Sequence, residues 1–487
     1  MGSEMCIRDR FILGPSGAGK SEYIYEDIIR RTMQDERENV IVLVPEQYSL
    51  EIQRKLVQKH PRGGSFQIDV IGFNRLAYRI FDELHIKPKK VLEDFGKSML
   101  LRKAAQEHKE ELSLYAGSLD KAGFIDEAKS LMSEIYQYDI PRERLREALQ
   151  KLDDSEEARV LARKLQDMLV IFDAFEEKKG QSFIVAEQML ELLTAAAEQS
   201  ELIAGSEIVL DGFTGFTPIQ LNLISVLLRR AKKVTIVLTI DAATYEKKHV
   251  AEHELFALTK QTIEHLLLTA EQAHVVVEPA LFLGKDGCKR WSKGHPLAHL
   301  EQNLFRYPYR VGKDEEQAIT ITAYDTPAQE LTGVAEQIRT LVMEQGYRYR
   351  DIAIVSGNLE ETAEFAKRIL PQYEIPYFID MTMPVKNHPC VDALTHVLRI
   401  VDENFSYDSV FAFLKSGVVK SLEQSEIEML ENYVLARGRK GIRSWSQPFL
   451  NGEDDTVDEL RQVVMEILQP FYKACLLYTS DAADDKA

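Results

Sequence analysis

The apolar positions of this chain change period several times, and each change marks a predicted element. Phe11, Ile12 and Leu13 form a short apolar run that stops at a glycine-rich turn, and a helical pattern follows over 22–31. Residues 40–44 are Val, Ile, Val, Leu and Val, a β-branched run of the kind that a parallel sheet buries on both faces. Further runs cover 66–71, 207–213 and 234–241. Between 93 and 200 such runs give way to apolar residues at three and four spacing, as in Leu161, Leu165, Met168 and Phe172. Helices are predicted there over 97–107, 124–136, 143–152, 156–177 and 185–197. A second alternation begins with a run at 318–323 and a helix over 327–344, continues with a run at 352–355, a helix over 359–370 and a run at 377–379, and turns helical from about 390. Strands alternating with helices predict the α/β class, with parallel sheets and large helical insertions.

Composition narrows the picture. A chain of 487 residues is too long for one core, and about three domains is the natural expectation. The formal charge of -18, from 78 acidic against 60 basic residues, argues against non-specific coating of nucleic acid or membrane, while leaving room for a local basic groove. No apolar run approaches the length of a membrane span, so no membrane partner is expected. Cys6, Cys288, Cys390 and Cys475 are scattered, which supports neither a disulfide framework nor a metal site. The reading therefore places the chain in the cytoplasm. Residues 1–10 and 475–487 follow no cap or turn logic and resemble translated sequencing-adapter read-through, so they are read as non-native tails of an N-terminal fragment.

Chemistry concentrates where runs end. Gly14, Gly19, Lys20 and Ser21 complete the pattern G-x-x-x-x-G-K-[ST] between a strand and a helix. Glycines let backbone N–H groups curl around a phosphate, and the new helix points its positive end at the anion. Gly14, Gly17, Ala18, Gly19, Lys20 and Ser21 are the candidate nucleotide-binding residues, with Lys20 reaching outer phosphates and Ser21 holding Mg²⁺. The run 207–213 contains Asp211, a carboxylate placed to hold the water shell of that ion. Gln47, Tyr48 and Ser49 follow the run 40–44, at the strand edge where α/β sheets bind ligands. Phe73, Asn74, Arg75 and Tyr78 combine aromatic rings with an arginine, the mixture that stacks and clamps single-stranded nucleic acid. Taken alone, the same stretch reads more simply as a helix start with Leu76 and Ile80 in the core. Residues 284–316 carry Lys285, Lys289, Arg290, Lys293, Arg306, Arg310 and Lys313, and read equally as a plain linker and as a DNA-facing crossing. Arg437, Arg439, Lys440 and Arg443 form the densest basic cluster.

In order and spacing these segments resemble superfamily 1 DNA helicases of the UvrD/RecB type, and within them the AddB subunits of AddAB (RexAB-like) helicase–nucleases. The resemblance spans 11–474 and includes residues 44–47, 72–79, 210–218 and, at a helix entry in the second motor domain, 385–394. It implies two RecA-like domains, the second truncated. Domain 1A would comprise 11–90 plus 200–283, insertion 1B 91–199, a crossing linker 284–316, the start of domain 2A 317–395 and the start of insertion 2B 396–474. It further implies ATP and Mg²⁺ as ligands, single- and double-stranded DNA, and an AddA-like motor and nuclease subunit as heterodimer partner. The family acts in the bacterial cytoplasm, resects double-strand breaks and recognises the hotspot Chi; its nuclease domain and iron–sulfur cluster belong to a part beyond this sequence. The strand-contacting residues implied are Gln47, Ser49, Phe73, Arg75 and Tyr78, with Phe213 or Phe216.

The departures from an active motor bear on catalysis. The residue after Asp211, where a motor has a water-positioning glutamate, is Gly212. No glutamine follows the run 234–241, which continues Ala242, Ala243, Thr244, and no arginine stands in 354–358. An arginine finger alone is worth about 10³ to 10⁵ in rate. No catalytic residue is therefore assigned, and the phosphate loop is expected to hold nucleotide without driving translocation. Two other readings remain: an autonomous ATP-driven helicase, needing Glu207 or Asp241 as the missing carboxylate, and a P-loop kinase or small-molecule binder.

Overall fold

A computed structural model describes residues 10–484, apart from 36, 88, 120, 153–154, 181–182, 285–287, 293, 314–317, 382–384, 386–387 and 451–454. The first nine residues of the N-terminal tail therefore lie outside the described residues, as do Lys285, Lys293, Lys386 and Asn387. The chain divides into two compact units, 1–321 and 322–487.

Among the described residues of the first unit eight strands form: β1 (Arg10–Gly14), β2 (Asn39–Leu43), β3 (Ile68–Ile71), β4 (Lys90–Leu92), β5 (Phe183–Val185), β6 (Ser206–Leu210), β7 (Lys233–Thr239) and β8 (Leu281–Phe282). Six of them make one sheet in the order β3-β2-β6-β7-β1-β8, every pair parallel. Leu13 lies beside Leu238, and Val209 is flanked by Val42 and Thr235. Side chains alternate between the two faces of a strand, and here both faces are apolar. Leu13, Leu43, Ile208, Leu210 and Leu238 face one core, while Ile12, Val42, Val209 and Val237 face a second. The helices α1 (Lys20–Gln34) and α2 (Ser49–Lys59) supply Ile24, Ile28, Ile52 and Leu56 to that second core. The helix α3 (Phe73–Glu83) and the helix Pro218–Arg230 cover the first. This is a RecA-type doubly wound sheet, and its parallel strands send every carboxyl-terminal loop to one edge.

Between β4 and β5 the chain is helical and has its own core, including Leu101, Met132, Phe172 and Phe175. The buried Asp167 carboxylate ties this region together, accepting from the backbone N–H groups of Ser113, Leu114 and Tyr115 at 2.7–2.9 Å. The short parallel ladder of β4 with β5 is absent from the sequence expectation, since three residues are too few to show a period.

The second unit is built from helices. Pro327–Gln345 and Leu359–Ile369 share a small core, and Pro389–Asp402, Tyr407–Leu414, Gln424–Arg437 and Thr456–Asp484 enclose a larger one around Trp445, Phe405 and Phe449. The last of these helices continues through the start of the stretch read as a C-terminal tail. The runs 318–323, 352–355 and 377–379, expected as strands, join no ladder among the described residues. Beside helices Pro327–Gln345 and Leu359–Ile369, residues 352–354 and 375–380 instead line an apolar groove of about 640 Å³. Val355 is 92% and Phe378 88% exposed. A strand needs hydrogen-bonded neighbours, and a helix layer on one face does not provide them.

Candidate nucleotide and nucleic-acid site

The turn after β1 forms the phosphate loop. Gly17 and Gly19 adopt left-handed φ of 71° and 82°, which a side chain would strain, and α1 begins directly at Lys20. Backbone N–H groups in such a turn form an anion nest, reinforced by the dipole of α1. Lys20 Nζ donates to the carbonyls of Gly14 and Pro15, both at 2.9 Å, and burial lowers its pKa against the attraction of Asp211 and Glu301. Asp211 leaves the end of β6, one strand removed from β1, and is 5% exposed. It accepts a 2.6 Å hydrogen bond from the Tyr25 hydroxyl on α1, and burial together with this carboxylate pushes the phenol pKa far up. The residues fit a phosphorylated ligand with a divalent ion: N–H groups and Lys20 for phosphate, Ser21 and Asp211 for the cation.

Several residues around the loop escape sequence reasoning because their contacts are distant in the chain. Tyr25 and Asp211 are 186 positions apart. Residues 288–291 lie across the outer face of the loop: Cys288 Sγ donates to the Ser16 carbonyl at 3.4 Å, and the Arg290 N–H to that of Gly17 at 3.2 Å. A Cβ on Gly17 would meet Cys288, Arg290 and Trp291. Glu301, on the helix Pro296–Asn303, accepts from the Ser16 N–H, and burial raises its carboxyl pKa. A cavity of about 390 Å³ opens beside the loop, lined by Pro15, Asp241, Phe282, Cys288, Glu301 and Arg306 among others. The one sequence clue to this segment is the enrichment of basic residues in 284–316.

Both carboxylates considered for water activation are engaged elsewhere. Glu207 sits at the amino end of β6, 2.5 Å from Arg31 and 3.4 Å from Lys233. Asp241 accepts from the Thr244 N–H at 2.5 Å and pairs with Arg306 at 2.7 Å. Gly212 offers no side chain.

The strand-contacting candidates gather on the other half of the same edge, after β3, β2 and β6. Gln47 is exposed in a single turn over Glu46–Tyr48, and Ser49 Oγ donates to the Glu46 carbonyl at 2.9 Å. The Glu46 carboxylate in turn accepts from the Asn74 N–H at 3.1 Å, joining this turn to the start of α3. Phe73 is half-buried, with its ring centroid 5.4 Å from that of Phe213, which lies 5.2 Å from Phe216. Arg75 and Tyr78 are exposed on one face of α3, three positions apart. The loop after β6 thus carries Asp211 toward the phosphate loop and Phe213 toward Phe73. Leu76 and Ile80 lie in the core, so α3 serves packing on one side and solvent on the other. In the second unit, half-buried Arg439 lies 5.4 Å over Phe449, while Arg437, Lys440 and Arg443 are exposed.

Residues 11–301 match the family model described as ADDB, N-terminal. A Lachnoclostridium phytofermentans protein, named as a subunit of an ATP-dependent helicase/deoxyribonuclease, is 35% identical over 475 residues, covering 95% of this chain and 41% of that protein. Proteins of the same name from Clostridium novyi and Alkaliphilus metalliredigens are 31% and 34% identical, covering 95% and 91% of this chain and 40% and 38% of their own lengths. The chain spans about two fifths of the length of the curated relatives it matches. The matched region contains the phosphate loop, Asp211 and the aromatic–arginine loops, and the chain belongs to the ADDB N-terminal family.

Proposed function

We propose that this chain is the helicase-like part of an AddB subunit, which works with an AddA-like motor and nuclease subunit on double-strand breaks in DNA. In this reading it scans the emerging single strand, including for Chi, and binds ATP and Mg²⁺ at the phosphate loop without turning the nucleotide over. The relatives' shared name supports the complex, and the family resemblance supports the scanning role. The observation that carries the reading is the division of one sheet edge. The phosphate nest follows β1, exposed Arg75 and Tyr78 follow β3 on the opposite half, the loop after β6 serves both through Asp211 and Phe213, and the position after Asp211 is a glycine with no carboxylate to offer. Nuclease and iron–sulfur chemistry belong to no residue of this chain. Gln47, Ser49, Arg75 and Tyr78 contact the strand, and Phe73 and Phe213 form the apolar floor beneath it.

Fluorescence anisotropy with a labelled single-stranded oligonucleotide tests this, alongside an ATPase assay. Tyr78→Ala and Arg75→Ala should each weaken binding by about tenfold, since a stacked base is worth about 1–3 kcal/mol. Lys20→Ala should leave DNA binding intact, and turnover should be absent throughout. DNA-stimulated turnover that Lys20→Ala removes would make the chain an autonomous motor. Absence of any DNA binding would favour a plain P-loop binder.

A further inference from the structure

We infer that Lys289 is a second phosphate-binding lysine of the loop, delivered to it by the segment 288–291. The inference rests on the reading of the loop as a nucleotide site, and it adds a residue that the pattern G-x-x-x-x-G-K-[ST] does not contain. The segment is fixed to the loop at two points. Cys288 Sγ donates to the Ser16 carbonyl at 3.4 Å, and the Arg290 N–H to the Gly17 carbonyl at 3.2 Å. Lys289 stands between these anchors, and its side chain runs along Gly19. A Cβ at Gly19 would lie 3.2 Å from Lys289 Cδ and 3.9 Å from Lys289 Cβ. The ammonium, two bonds beyond Cδ, is therefore within reach of a phosphate held by the N–H groups at the start of α1.

Both anchors bond to carbonyls. Among the described residues the N–H groups of Gly17, Gly19, Lys20 and Ser21 bond to no backbone carbonyl, so the segment leaves the anion nest open. A segment that inhibited the loop would occupy those N–H groups instead. Charge is the second indication. Lys289 is exposed, and among the described residues no ion pair joins it to a carboxylate. A cation beside the positive end of α1, and next to Lys20, has the wrong sign for both, and a bound phosphate reverses that balance. Lys20 has two of its three donors on the Gly14 and Pro15 carbonyls at 2.9 Å, whereas Lys289 brings all three to a ligand.

Isothermal titration calorimetry of the full chain with MgADP tests the assignment. Lys289→Met keeps the stem over Gly19 and removes the charge, and should weaken MgADP by about tenfold, the scale of a hydrogen bond to a charged group. Lys289→Arg keeps a cation able to bind phosphate and should stay within about threefold of the parent. Binding by Lys289→Met as tight as the parent's would make Lys289 a packing residue and overturn the inference. Equal weakening by both variants would assign the effect to shape and overturn it too. A measurement on the unmodified chain guards against a variant that fails to fold. A phosphate beside Lys289 favours its charged form, so MgADP should slow acetylation of Lys289 by about fivefold or more, read by mass spectrometry. Exposed Lys232, just before β7 at the opposite edge of the sheet, serves as the unprotected reference. Acetylation of Lys289 unchanged by bound MgADP overturns its role alone, and failure of the parent to bind MgADP overturns the nucleotide site as well.

Discussion

Val209 and Val355 both stand in apolar, β-branched runs that lead toward a helix, yet Val209 is fully buried and Val355 is 92% exposed. The difference lies in their neighbours. Val209 is in β6, with Val42 on one side, Thr235 on the other and helices over both faces of the sheet. Val355 has no ladder partner among the described residues, and Leu359–Ile369 and Pro327–Gln345 cover one side of its segment only. Apolar, β-branched composition prepares a chain for a sheet, and pairing completes it. Where pairing is missing, order has to come from helix packing and from side chains that bond to backbone.

The sharpest test is a matched pair of substitutions. Val209→Asp buries a charge with no partner, a change that costs several kcal/mol or more, and should abolish cooperative unfolding of the first unit. Val355→Asp places the same charge in solvent and should move stability by no more than about 0.5 kcal/mol. Thermal denaturation followed by circular dichroism distinguishes them. A large loss from Val355→Asp would show that this segment is paired in solution, and the contrast between the two runs would vanish.

Hydrogen exchange reads the same contrast without mutation. Amides of β1, β2, β6 and β7 should exchange only on global opening, whereas those at 352–355 and 377–379 should exchange by local opening, at least about 10³-fold faster. Residues from about 318 onward should be less protected as a group than the sheet. Equal protection in both sets would contradict the absence of a ladder.

What could be read from the sequence follows the range of the interactions. The long buried runs around Val42, Val209 and Val237 announce themselves, because three or more consecutive apolar residues stand at the centre of each. The phosphate loop is equally plain, its glycines, Lys20 and Ser21 being neighbours in the chain. Ladders of two or three residues, such as Leu281–Phe282 and Lys90–Leu92, carry too little pattern to be seen. Tyr25 on Asp211, Cys288 on Ser16 and Arg306 on Asp241 could not be seen at all, since nothing local marks them. Glu46 is the intermediate case: its place after Pro45 at a strand end is plain, but its bond to the Asn74 N–H depends on β2 and β3 lying side by side.

The smallest effect concerns what holds the second unit where no ladder does. Asp458 accepts from Arg461 Nε at 2.6 Å, from the Phe449 N–H at 2.6 Å and from Gln462 at 2.8 Å, and the buried Arg461 also donates to the Trp445 carbonyl. One carboxylate thereby ties a loop, a helix and the aromatic core together. The Arg461 hydrogen bond, helped by the Phe449 N–H, holds the Asp458 carboxyl well below the usual carboxylate range, against the opposing effect of burial. A folded-state pKa depressed in this way gives stability that is complete above the ordinary carboxylate pKa. That stability is lost as pH falls through the lower, folded value. Asp458→Asn should therefore destabilise the second unit by about 2 kcal/mol at neutral pH, the scale of a hydrogen bond to a charged group. It should also flatten the unit's stability between neutral and acidic pH. Trp445 fluorescence reports this in a Trp291→Phe background, since these are the chain's two tryptophans. An acid transition as steep in Asp458→Asn as in the parent would assign the pH dependence to other carboxylates and leave helix packing alone as the source of order there.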